Sequence, residues 1–286
     1  MQRFRIDHVT SYNFSNPVSL LPHTLRLRPR ESHELRIEDS RLTISPTAQV
    51  QWYRDAEENS VARATFSGTN TKALTIKSEV TIQQYDIEPL NFLVEDYAVS
   101  YPFNYQPEDE ILLAPYRSAS NSIHSILLEK WVNKLWSPNE NLQSIALLQR
   151  LNQRLVESLN QIVREEEGVQ SAEQTLTLQS GSCRDFAQLF IVVARQLGFA
   201  ARFVSGYLYS KSTSSEPGAT HAWAEVFIPG AGWKGFDPTS GTMTGAHHIR
   251  VAVARLPESV PPVAGSYIGV PGATMLVSVY IEALDC

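Results

Sequence analysis

The chain has 286 residues, with 24 Lys and Arg against 30 Asp and Glu for a formal charge of −6. This length suits one large or two ordinary domains with a sizeable core, and so mild and dispersed a charge, with no basic run interleaved with aromatics, excludes a nucleic-acid groove. Met1 to His8 is charged throughout where a secretory signal is apolar, no window approaches the ~18 apolar residues of a membrane span, and two cysteines (Cys183 and Cys286) do not make a disulfide scaffold. The expectation is a cytoplasmic protein with no membrane partner.

Residues 2–88 read as strands. Phe4 and Ile6 alternate with polar neighbours, and similar runs cover 25–28, 42–44, 61–66 and 74–82, separated by turn-prone clusters such as Ser15-Asn-Pro17 and Ser45-Pro46. An antiparallel β-sandwich over 1–90 is expected. Arg26, Arg28 and Arg30 alternate with Leu25 and Leu27 and read as the solvent face of a strand. His8 and His23 have no partner at metal-ligand spacing and read as structural.

Four prolines (89, 102, 107 and 115) among Tyr97, Tyr101, Tyr105 and Tyr116 predict an extended, packed linker over 91–118 rather than sheet or helix. Helices are predicted over 120–136 and 141–167. In the second, Leu148, Leu151, Leu155, Leu159 and Ile162 recur at steps of three and four, and Glu165 to Glu167 form its solvated end. A third helix runs over 183–197 and is closed by Gly198. Strands return over 201–209, 220–228 and 233–237, with 210–218 a polar loop. Helices followed by strands imply an α+β core over 119–286, and the alternating tail from Met275 to Tyr280 covers a sheet edge.

Cys183 is the residue of most chemical interest. Phe186, Ala187, Phe190, Ala194 and Leu197 give the following helix one buried stripe, so the thiol sits in the first turn. Unpaired backbone N–H groups and the positive end of the helix dipole there favour thiolate, although a lone cysteine is more often a small buried hydrophobe. In Thr220 to Ile228, strict alternation puts His221, Trp223, Glu225 and Phe227 on one face and Ala222, Ala224, Val226 and Ile228 on the other. If Phe227 pairs with Trp233, Asp237 falls on the His221 face; a slip of one residue removes it. A three-residue loop or an equivalent bulge is therefore predicted.

A thiol at a helix N-terminus, an imidazole and a carboxylate are the parts of a cysteine-nucleophile acyl-transfer site. Cys183 would attack, His221 would shuttle the proton and Asp237 would hold the ring. The Cys183 backbone N–H would serve as one oxyanion donor, and Gln179 is a weak candidate for substrate or oxyanion contact. Trp223 either walls the site from water or fills the core. His247-His248, lacking a carboxylate or cysteine at ligand spacing, reads as loop, and no metal is expected.

Four segments in order, Gly181-x-Cys-Arg-Asp-Phe-Ala187, Arg202-Phe-Val-Ser-Gly-Tyr207, His221-Ala-Trp-x-Glu-Val226 and Gly232-Trp-x-Gly-Phe-Asp-Pro-Thr239, resemble the transglutaminase-like superfamily. The front, in Ile6-Asp-His-Val-Thr-Ser-Tyr12 and Leu25-Arg-Leu-Arg-Pro29, resembles the N-terminal domain of its bacterial branch. The resemblance implies a papain-like α+β core, Cys183, His221 and Asp237 as catalytic triad, and no cofactor or metal. The sequence departs from the family pattern at Gly198-Phe-Ala-Ala-Arg202, at Asp55-Ala-Glu-Glu-Asn59 and at Ala254-Arg-Leu-Pro-Glu258, none of which removes a triad member. The expected activity is hydrolysis of a peptide or protein amide through a thioester. Cross-linking by γ-glutamyl transfer, or a non-catalytic binding module, is the alternative.

Overall fold

The structure is a computed structural model that describes residues 1–68, 70–85, 90–118, 126–164, 166–210 and 219–284. The start of the expected helix at 120, Glu165, most of the expected loop over 210–218, and Cys286 lie outside these residues.

The N-terminal part is built from β1 (Gln2–Leu20), β2 (His23–Leu25), β3 (Leu35–Ser45), β4 (Gln49–Arg54), β5 (Ser60–Thr65) and β6 (Asn70–Gln84). Period-two patterning explains the long central pair. β1 buries Phe4, Ile6, His8 and Thr10, and β6 buries Leu74, Ile76, Ser78, Val80 and Ile82. β1, β6 and β3 make one antiparallel sheet and β2, β5 and β4 a second. Phe14, Val18, Leu25, Leu27, Ala62, Leu74 and Ile76 fill the space between them as a sandwich core.

His8 is structural, as expected. Its Nδ1 lies 3.0 Å from the Tyr207 hydroxyl and its Nε2 2.9 Å from Thr10 Oγ1. Burial lowers its pKa to about 4. A histidine held neutral by the fold adds stability above its unfolded pKa of ~6.5 and loses it as pH falls through the folded value. Between pH 7 and 4 the wild type should lose ~3 kcal/mol more stability than His8→Gln, measured by urea unfolding at each pH.

The segment over 91–118 is not an extended linker. It contains α1 (Asp96–Val99) and α2 (Pro107–Arg117). Pro107 occupies the first turn of α2, where its missing N–H costs no bond, and Glu108, Asp109 and Glu110 follow it at the positive end of the dipole. The tyrosines pack as predicted: the Tyr105 hydroxyl donates to the Phe227 carbonyl and accepts the Ala200 N–H.

Beyond it come α3 (Ile126–Val132), α4 (Ser144–Ser158), α5 (Ala172–Leu178) and α6 (Cys183–Gln196). The helix expected to run to 167 stops at Ser158, because Asn160 N–H and Ile162 N–H bond the Gln179 and Gly181 carbonyls in place of the preceding helical turn. α5 was not anticipated, although Ser171 and Gln174 form a capping box that marks its start. After α6, the strands β7 (Ala201–Leu208), β8 (Ala219–Ile228), β9 (Gly232–Asp237), β10 (Thr242–Met243) and β11 (His248–Ala254) form an antiparallel sheet in the order β10-β9-β8-β7-β11. Phe186, Ala187, Phe190 and Ala194 of α6 share one core with Ala222, Ala224, Val226 and Ile228 of β8. This is the expected α+β core.

The C-terminal strands β12 (Val263–Ala264), β13 (Tyr267–Ile268) and β14 (Ala273–Leu284) leave that core and rejoin the sandwich: β12 pairs with β2, and β13 and β14 pair with β1. They cover an edge, as expected, but the edge belongs to the N-terminal sheet, so a boundary at 118 divides in sequence what pairing unites in space. A cluster of Phe4, Ile6, Val80 and Ile82 with Tyr207, Ile249 and Val251 seals the sandwich to the core. Asn59, fully buried, adds a polar peg by donating to the Val253 carbonyl and accepting its N–H, both at 2.8 Å.

Candidate active site

Cys183 begins α6 and is partly exposed. Its neighbours in the Gly181 to Asp185 motif fix the helix start. The Asp185 carboxylate, fully buried, accepts from the Ser182 N–H at 2.7 Å, the Gln170 N–H at 2.7 Å and Arg164 Nη1 at 3.0 Å. Burial alone would push this carboxyl up, but those donors hold it below the usual range. Gly181 leaves room, since a Cβ there would lie 2.8 Å from Asp185 Cβ. Arg184 donates to the Arg164 and Glu166 carbonyls, tying the preceding segment to the thiol's turn.

His221 and Asp237 come from the β8–β9 hairpin. Phe227 pairs with Trp233 and Ile228 with Gly232, leaving Pro229-Gly-Ala231 as the predicted three-residue loop. The register holds Asp237 on the His221 face, with Asp237 Oδ2 2.9 Å from His221 Nε2. The Asp237 Oδ1 accepts the Thr239 N–H at 2.9 Å, a local turn that explains the Asp-Pro-Thr order. The Cys183 sulfur lies near enough to the His221 ring to help hold its proton. Nε2 is taken by the carboxylate, so Nδ1 is left for the sulfur.

Burial disfavours a charged His221 ring, yet its bond to Asp237 and the nearby Cys183 outweigh that and push its pKa up to about 10. Burial would likewise raise Asp237, but bonds from His221, His248 and Thr239 N–H hold its carboxyl far below the usual range. The site thus favours a charged His221 ring beside the ionised Asp237 carboxylate.

Trp223 is 2 % exposed and packs beside the pair, its ring 6.2 Å from that of His221. Gly206 on the neighbouring strand makes room for it, for a Cβ there would lie 2.5 Å from Trp223 Cη2. Gln179 caps α5 with a left-handed φ of 51° and is exposed. Two sequence expectations need correction here. His248 is no loop residue without a carboxylate: it opens β11, with Nε2 3.2 Å from Asp237 Oδ2. The signal was present, because alternation in His248-Ile-Arg-Val251 puts His248 and Arg250 on one strand face. Arg26 and Arg30 do not form a solvated row either. Arg26 lies 3.7 Å from Asp55, and Arg30 donates to the Asn59 side chain at the junction between sandwich and core.

A papain-like α+β core with a thiol, an imidazole and a carboxylate brought together from α6, β8 and β9 defines the class of this protein. Residues 4–83 match the family described as the bacterial transglutaminase-like N-terminal region, and residues 131–238 match the transglutaminase-like superfamily. The chain belongs to the transglutaminase-like superfamily. It is 26% identical to the uncharacterized protein ML0607 of Mycobacterium leprae (strain TN) over 282 residues, 96% of either chain. It is 38% identical over 104 residues to Rv2569c of Mycobacterium tuberculosis, 32% of each. The fold is shared with a crystal structure from Cytophaga hutchinsonii described as a "putative cysteine protease", at a TM-score of 0.75 and 20% identity, covering 100% of this chain and 91% of the other.

Proposed function

We propose that the protein is a cysteine-nucleophile enzyme that hydrolyses an amide of a peptide or protein through a thioester, with Cys183, His221 and Asp237 as its triad. The observation that carries this reading is the His221 ring bonded through Nε2 to Asp237 Oδ2 at 2.9 Å, with Cys183 near enough to help raise the pKa of the ring. The Cys183 thiolate attacks the amide carbonyl, and the Cys183 backbone N–H, unpaired in the first helical turn, receives the developing oxyanion, with the Gln179 side chain as candidate second donor. The His221 imidazolium gives its proton to the departing amine as the C–N bond breaks, leaving a thioester and a neutral ring. That ring then takes a proton from water, the hydroxyl adds to the thioester, and the acid departs as the thiol re-forms. Asp237 keeps one tautomer in place throughout.

No step in this sequence passes through a metal or cofactor. A thiol nucleophile suits a reducing compartment, which supports the cytoplasm as its place of action; among the described residues no helix is long and apolar enough to cross a membrane. Transfer to a lysine amine in place of water is the second reading, supported by the match of residues 131–238 to the transglutaminase-like superfamily. A panel of peptides with and without a primary-amine acceptor, offered to wild type and Cys183→Ala and read by mass spectrometry, separates the two. Free acid and amine from wild type alone are expected; amine-containing acyl products would make it a transferase, and equal products from both proteins would remove Cys183 from the chemistry.

A further inference from the structure

Asp237 is served by two imidazoles. His248 Nε2 lies 3.2 Å from Oδ2, the same oxygen that faces His221 Nε2 at 2.9 Å. The other nitrogen of His248, Nδ1, faces the backbone N–H of Gly245 at 3.3 Å. A backbone N–H can only donate, so Nδ1 is the bare nitrogen and the neutral ring carries its proton on Nε2. His248 is therefore a donor to Asp237.

The tautomer also decides between two uses of the cluster. His221, Asp237 and His248 bring their ligand atoms within 4.8 Å of one another, close enough to be considered for a metal. A ligating Nε2 has to be bare, and the opposite ring nitrogen of a metal-bound histidine then donates to a carbonyl or carboxylate. In His248 that nitrogen meets a donor instead. The ring stands edge-on to Trp223, with centroids 5.3 Å apart at 79°, which limits its rotation to any other arrangement.

We propose that His248 is a positioning residue for the His221–Asp237 pair. This rests on the thiol–imidazole reading given above. The Thr239 N–H holds one carboxylate oxygen and the His248 Nε2–H holds the other, so the carboxylate cannot rotate away from the His221 ring. The chain Gly245, His248, Asp237, His221 runs from a backbone amide to the imidazole beside Cys183, with one donor and one acceptor at each link. His248 touches no reacting atom and acts only through Asp237.

The test compares His248→Gln, whose side-chain amide N–H can reach the same oxygen, with His248→Met, of similar length and no donor, and with His248→Phe, which keeps a ring against Trp223. In the full chain, the rate of Cys183 alkylation by iodoacetamide is followed from pH 5 to 9, alongside thermal unfolding. At pH 6 the Met and Phe variants should alkylate about tenfold more slowly than wild type, with profiles moved toward that of a free thiol, and Gln should stay within about threefold. A folded Met or Phe variant with the wild-type profile overturns the role of His248. So does a folded Gln variant as slow as Met, because packing and not the N–H would then matter. A wild type that alkylates no faster than free cysteine at pH 6 would instead remove the thiol–imidazole reading itself.

Discussion

Replacing His221 by alanine should lower turnover by at least about 10³-fold while leaving the fold intact, since in the proposed mechanism the ring both assists the attacking sulfur and protonates the departing amine. The steady-state rate on any peptide that wild type cleaves, with thermal unfolding as the control, measures this. Adding Cys183→Ala to His221→Ala should cost little more, because the two act as a unit; a multiplicative loss would mean that they work separately. The ring also contributes to stability. Its folded pKa, raised to about 10, lies above the ~6.5 of an unfolded histidine, so its bonds stabilise the folded state fully below that lower value and cease to do so as pH rises through the upper one. The melting-temperature gap between wild type and His221→Ala should accordingly narrow from pH 6 to pH 10. A gap that widens with pH would show the ring to be neutral in the fold.

Removing the Glu225 carboxylate should be among the most destabilising single changes in the chain. It is fully buried; Arg202 Nε and Nη2 each lie 2.8 Å from Oε2, and Arg250 Nε lies 2.7 Å from Oε1 in a close ion pair that is not aligned as a hydrogen bond. Burial pushes this carboxyl up, but Arg250 and Arg202 outweigh it and keep it ionised. Arg202 also stacks on Trp233 at 4.1 Å, so it has no easy route to water. Glu225→Leu leaves two guanidinium groups facing an apolar side chain, a situation that costs ~3–5 kcal/mol. Urea unfolding should show that loss, with Glu225→Gln destabilised by less. A loss under ~1 kcal/mol would mean that the arginines find other partners.

Local chemistry made several features readable from the chain. The α6 stripe, the β8 alternation and the Pro-Gly-Ala-Gly turn were enough to put Cys183 in a first turn and to predict the loop that keeps Asp237 beside His221, because helix and strand periods decide faces and loop length decides register. Two departures have distant partners as their cause: Ile162 continues the apolar period of α4, yet its N–H bonds the Gly181 carbonyl, and the carboxylate partner of His248 lies at Asp237 across two turns. The third is local, for prolines predict an extended 91–118 segment only if their position is ignored, and at the first turn of α2 proline favours the helix.

What the amino-acid sequence determined alone was the inventory and the local geometry: a thiol on a helix mouth, an imidazole and a carboxylate on one hairpin face, an α+β order of elements and a strand-rich front. These follow from interactions within a few residues or across one tight turn. Only the tertiary structure decided that the last strands complete the first sheet, that Arg30 faces inward, and that Asp237 answers to two histidines. Each of these depends on pairing between distant segments, and periodicity within a segment fixes which way a side chain points but not what another part of the chain will place in front of it.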